Sequence, residues 1–170
     1  MCGVYQADLP LRTSVSNFQG PDFVARDTTS GKYYEDTVEL AIKRSCDKNK
    51  LVATKQVAIG TSPTGGKHKV DWELVKEDDE SVRGLISCKF QDTGGTAEEK
   101  IPYEVVKLLH AMKLDPRIKR AWITLGGNGW NVGLKLFYET QLEWFIPEMK
   151  GKVFIISTTD KLLSTDLSLD

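Results

Sequence analysis

The stretch Gly84-Leu-Ile-Ser-Cys-Lys-Phe-Gln-Asp-Thr-Gly-Gly-Thr-Ala-Glu-Glu-Lys-Ile-Pro-Tyr-Glu104 decides the fold class. It opens as a strand, with VRGLISCKFQ rich in residues that suit a pleated surface, and turns at Gly94-Gly95. It then enters TAEEKIPYEVVKLLHAMKL, where Val105, Leu108, Leu109 and Met112 recur at helical spacing. A change of period across a glycine corner predicts a strand followed by a helix. Thr96 is placed to cap that helix, and Glu98 and Glu99 suit the positive end of its dipole. Pro102 stands late for a first-turn proline, so the helix either kinks or starts later than the cap suggests. Within the strand, Lys89 interrupts an apolar run, and two residues before it stands Ser87, not an acid.

Upstream, KYYEDTVELAIKRSCDKN after Gly31 carries Tyr34, Val38, Ala41 and Ile42 on one stripe and predicts an amphipathic helix. LVATKQVAIG alternates as a strand, SPTGG from Ser62 to Gly66 is a turn, and HKVDWELV is a second strand joined to VRGLISCKFQ through EDDES. Downstream come a short strand RAWITL, a GGNG loop, an amphipathic candidate NVGLKLFYETQLEWFI and a last strand KVFIIST. Helices interleaved with strands in this order predict one α/β domain over residues 31–170, a central mixed β-sheet flanked by α-helices. Residues 1–30 lack a sustained period and carry Pro10 and Pro21, which predicts an arm. No internal repeat or low-complexity segment is visible.

A chain of 170 residues supports a single core. No run approaches the roughly 20 apolar residues that span a bilayer, so no membrane partner is expected. The amino terminus lacks the basic start and apolar segment of a secretion signal, which predicts a cytoplasmic protein. Three cysteines without CxxC spacing and two histidines argue against a disulfide framework and against a thiolate-imidazole zinc site. A net charge of −1 means that any nucleic-acid footprint is local, at Lys67-His68-Lys69 or at Arg117-Ile-Lys-Arg120.

Asp71 in HKVDWELV and Lys89 in LISCKF are ionisable residues inside half-buried strands that a short turn brings together. The plainest reading is a cross-strand charge pair, worth roughly 0.2–1 kcal/mol. The functional reading is a hard metal site: magnesium takes carboxylates, carbonyls and waters, with the Asp71 carboxylate and the Cys88 backbone carbonyl as two such oxygens. GGNG fits no phosphate-loop pattern, isolated tryptophans suit packing, and His110 reads as structural. No serine sits in a GxSxG turn, so no hydrolytic triad is expected.

Taken in order, GKYYE, V-D, C-K-F-Q, G-T-A-E-E-K-I-P-Y-E, AWITLGGNGW and KVFIIS resemble nucleases of the PD-(D/E)XK superfamily, and more narrowly small type II restriction endonucleases. The resemblance covers roughly residues 31–157 and implies a restriction-endonuclease-like fold. It also implies a DNA endonuclease dependent on Mg2+, with Mn2+ able to substitute, that leaves 5′-phosphate and 3′-hydroxyl ends. Asp71 matches the first acid and metal ligand, Lys89 the lysine beside the attacking water, and Glu35 the first-helix glutamate, with Glu39 as its fallback. Gln91 stands where a polar side chain reaches phosphate or water. Ser87 departs from the pattern, because alternate strand residues share a face and the usual acid stands there. The resemblance then points to Glu98, Glu99 or Glu104 on the next helix, with Glu99 preferred for catalysis and metal binding. Lys67, His68 and Lys69 are expected on DNA phosphate, and the arm on DNA or a partner subunit. Double-stranded DNA is the expected partner, and a palindromic target suits a homodimer. Homing, junction-resolving or repair nucleases share this core, and a non-catalytic DNA-binding module is the reading that Ser87 favours.

Overall fold

The computed structural model describes residues 28–95 and 99–169. All but the last three residues of the expected arm, together with Thr96 and Glu98, lie outside the described residues. The chain order is α1 (Thr28–Asn49), β1 (Leu51–Thr61), β2 (Lys67–Lys76), β3 (Arg83–Phe90), α2 (Lys100–Leu114), β4 (Ile118–Gly126), α3 (Val132–Thr140), α4 (Leu142–Phe145), β5 (Val153–Ile156) and α5 (Thr159–Ser164). The five strands form one sheet in sequence order. β1, β2 and β3 are antiparallel, whereas β3, β4 and β5 are parallel. This is the mixed sheet flanked by helices that the sequence predicts.

Both faces of the sheet are covered. On one, α2 packs Ile101, Val105 and Leu108 over Leu85, Ile123 and Leu125. On the other, α1 sets Tyr34, Val38 and Ile42 over Leu74, Ile86 and Trp122. A strand buried on both sides reads as a continuous apolar run, which is why Ala121 to Leu125 show no alternation.

The β1–β2 hairpin changes faces part-way along. Lys55 pairs with Trp72 and Val57 with Val70. Strict alternation would put both pairs on one side of the sheet. Instead Ala53, Trp72 and Leu74 join the α1 cluster, while Val57, Ile59 and Val70 join the α2 cluster. The reversal falls at Gln56, whose φ of 55° is in the left-handed region that residues other than glycine seldom adopt. Asp71 faces Gln56 across the hairpin, between the paired residues Trp72 and Val70.

α2 begins at Lys100, not at Thr96, so Glu99 holds the N-cap position and Pro102 falls in the first turn. A proline is tolerated there because the first amides of a helix have no acceptor within it. The expected single helix over 131–146 is two: α3 is capped by Asn131, whose side chain accepts from the amides of Gly133 and Leu134, and ends before Gln141. α5, which the sequence reading did not propose, adds Leu162 to the α1 cluster.

The GGNG loop after β4 is a close-packed corner. A Cβ on Gly126 would overlap the Tyr34 ring, and one on Gly127, at φ 88°, would overlap the Gln91 carbonyl. The Gln91 amide donates to Gly126 O at 2.9 Å and its carbonyl accepts from Gly129 N at 2.8 Å. Substituting Gly127→Ala therefore costs about 1–3 kcal/mol from backbone conformation alone. The overlap adds to this, and a lower urea-unfolding midpoint is the expected result. An unchanged midpoint would show that the corner yields freely.

Candidate active site

The parallel strands β3 and β4 end together, Phe90 paired with Gly126, and the ionisable residues gather around the last three residues of β3. β2 and β3 are in register only as far as Trp72 opposite Ile86. One residue further along β2, the Asp71 carboxylate takes over: its Oδ2 accepts from the Cys88 backbone N–H at 2.6 Å. Its Oδ1 accepts from Gln56 Nε2 at 3.2 Å. Asp71, Gln56, Glu35 and Cys88 line a concavity of about 310 Å³ roofed by α1. A water's share of liquid is about 30 Å³, so the space has room for a cation with several waters.

On the other side of β3, a second concavity is lined by Lys89, Glu104, Lys107 and Trp130, and Cys88 and Phe90 line both. Glu104 is 4% exposed, although it is charged. Its Oε1 accepts from Ser87 Oγ at 2.9 Å. Its Oε2 lies 3.3 Å from Lys89 Nζ and 2.5 Å from Lys107 Nζ. The hydroxyl of Ser87 thus serves as a donor to a carboxylate that arrives from α2. An acid at position 87 would instead set two like charges against each other in a poorly solvated place.

Electrostatics follow from these contacts. Burial raises the Glu104 pKa, but Lys89, Lys107 and the Ser87 hydroxyl together outweigh it and hold the carboxyl below its ordinary range. The Cys88 thiol is pushed up to about 12, chiefly by burial, with Asp71 and Glu35 adding to the effect and Thr124 and Lys89 opposing it. It is a packed thiol, not a nucleophile. Burial likewise raises the Tyr34 hydroxyl, which bonds Thr124 at the roof of the first concavity.

The structure brings together Asp71, Glu35 and Cys88 on one side and Lys89 with Glu104 on the other. Glu99 is exposed at the N-cap of α2, five residues before Glu104 and so roughly 140° around the helix from it. It is Glu104 that reaches Ser87 and Lys89. Glu39 is paired with Lys55 at 2.6 Å. Gln91 is buried, and its Nε2 donates to Gly129 O at 2.9 Å, so its amide braces the glycine corner. His68 is buried while its neighbours Lys67 and Lys69 are exposed, because successive strand residues face opposite ways. Arg117 forms an ion pair with Asp115 at the far end of β4. Sequence reading did not single out Gln56 or Lys107. Glu104 had a legible signal, since it shares the stripe of Ile101, Leu108 and Ala111, where a solvated acid has no place.

Among the described residues, no three acids, histidines or cysteines converge as a preformed metal cage. The donors present are carboxylate, hydroxyl and carbonyl oxygens. That set fits magnesium, which keeps several waters and is held by one or two carboxylates plus substrate phosphate.

The family model for the PD-(D/E)XK nuclease superfamily domain matches residues 23–150, well over half of the chain. The chain belongs to the PD-(D/E)XK nuclease superfamily, whose members are in general nucleases that use divalent metals. A search of curated proteins found no match to the chain.

Because the folded-state pKa of Glu104 lies below the unfolded one, its ionised form contributes stability that is present above the unfolded carboxyl value of about 4.3. That contribution is lost as pH falls through the lowered folded value. Urea unfolding across this acid range is expected to show the wild type losing its advantage over Glu104→Gln as pH drops. Parallel pH profiles would rule the linkage out.

Proposed function

We propose that this protein is a Mg2+-dependent DNA endonuclease, of the kind represented by small type II restriction enzymes, and that Glu104 supplies the acid absent at Ser87. The observation that carries the reading is the buried Glu104 carboxylate held against Ser87 and Lys89, with Asp71 bonded to Cys88 between them.

Asp71 would hold the metal on the α1 side of β3, with the Cys88 carbonyl as a neutral oxygen and Glu35 acting through water. Glu104 would serve it from the α2 side at the strand end, where Cys88 and Phe90 line both concavities. When bound, the metal supplies Lewis-acid polarisation of a phosphoryl oxygen and a more acidic water. Lys89 faces Glu104 at 3.3 Å, so its ammonium is held in one place and stands ready to donate to phosphate or to orient the attacking water. Gln91 acts at one remove, by holding the Gly126–Gly129 corner. Tyr34 and Trp130 are buried and line the first and second concavities respectively. Residues 31–170 are proposed as the nuclease domain. Residues 1–30 are proposed to contact DNA or a second subunit in a homodimer acting in the cytoplasm.

Plasmid and phage DNA incubated with magnesium tests the assignment. Asp71→Ala, Lys89→Ala and Glu104→Gln are each expected to lower the single-turnover cleavage rate roughly a hundredfold or more. Glu99→Gln is expected to cut within a few-fold of wild type. Loss of cutting in Glu99→Gln with Glu104→Gln active would reverse the choice of acid. A folded wild type that binds DNA and cuts none of it would favour a non-catalytic binding module.

A further inference from the structure

We infer that the hollow between the β1–β2 turn and α2 is a second phosphate site, which takes a non-scissile phosphodiester of the DNA strand; this rests on the nuclease reading above. The hollow measures about 550 Å³. From the hairpin, Ser62, Thr64, Lys67 and Lys69 line it. From α2 come Tyr103 and Lys107, which also line the concavity that holds Lys89 and Glu104. The two spaces therefore adjoin at Tyr103 and Lys107 on α2.

The charge and hydrogen-bonding inventory favours an anion. Lys67, Lys69 and Lys107 line the hollow, Lys107 being shared with Glu104, and among the described residues no acid lines it. Among the described residues neither Lys67 nor Lys69 is in an ion pair. His68 supplies the independent sign. It lines the same hollow, is 2% exposed, and neither of its ring nitrogens has a hydrogen-bond partner. A buried polar group left without a partner costs about 1–3 kcal/mol, and folded proteins contain few of them. A phosphate oxygen in the hollow would satisfy one ring N–H. The turn itself suits close approach of a backbone: Gly65 adopts φ 85°, and the Ser62 amide is tied to Gly66 O at 2.7 Å. Phosphate contacts of this kind set the register of a duplex without reading its sequence.

The test is equilibrium binding of a mixed-sequence duplex in chelator, titrated with salt. Each neutralised phosphate contributes about 0.9 to the slope of log affinity against log salt. The Lys67→Gln/Lys69→Gln protein is expected to lose roughly 1 to 2 from that slope. Lys119→Gln, at the far end of β4, is expected to leave it unchanged. His68→Phe removes the ring donors but keeps the buried shape; the expected result is affinity about tenfold weaker with no fall in Tm. An unchanged slope in the double variant, an equal loss in Lys119→Gln, or full affinity in His68→Phe overturns the site. If that happens while wild type binds and cuts DNA with magnesium, the nuclease reading stands without it. A wild type that binds no duplex at any salt overturns both.

Discussion

A carboxylate buried under a helix must find its donors or lose its charge, and Glu104 finds three, from Ser87, Lys89 and Lys107. That requirement fixes the rotation of α2 over β3. Ile101, Val105 and Leu108 fill the apolar face, while Glu104 on the same stripe meets the strand where it turns polar. Lys89 is bound into the arrangement from the other side, because its ammonium would otherwise stand in a half-buried position without a counter-charge. Ser87 is explained by the same constraint. With the acid delivered from α2, the strand position needs a small donor, and a second carboxylate would repel the first.

The strand carrying these residues is also where the sheet changes from antiparallel to parallel pairing. In open α/β sheets the crevice at the carboxyl ends of the strands is the usual place for a ligand. Here β2 stops pairing with β3 beyond Trp72, and the Asp71 side chain occupies the Cys88 amide in place of a backbone carbonyl. The reversal of the hairpin at Gln56 aims its outer half at α2 and its inner half at α1. Asp71 is left at the crossing. Gly126 and Gly127 complete the crevice by letting Tyr34 and Gln91 pack against the end of β4, where a side chain would intrude.

Much of this was legible in local pattern. The alternation of LVATKQVAIG and the helical spacing of KYYEDTVELAIKRSCDKN mark β1 and α1, and the uninterrupted AWITL marks a strand buried on both faces. Asp71 and Lys89 stood out because charge inside an apolar run demands a reason. The start of α2 was less legible, since Thr96 and Glu98 mimic a capped first turn while Pro102 sets the helix start at Lys100. The burial of His68 was not legible, because Lys67 and Lys69 flank it and both are exposed, whereas strand alternation turns its ring inward.

The sequence by itself determined the kind of fold, the order of its elements and two ionisable residues at its centre, because these depend on periods of two and 3.6 residues and on neighbours a few positions apart. Tertiary structure decided which glutamate faces Ser87. Glu99 and Glu104 are alike as residues and lie on one segment, and only the docking of α2 distinguishes the exposed one from the buried one. It also decided that Lys107 shares the carboxylate and that Gln56 faces Asp71. Such partnerships join distant or oppositely phased positions through burial and register, quantities that no local pattern encodes.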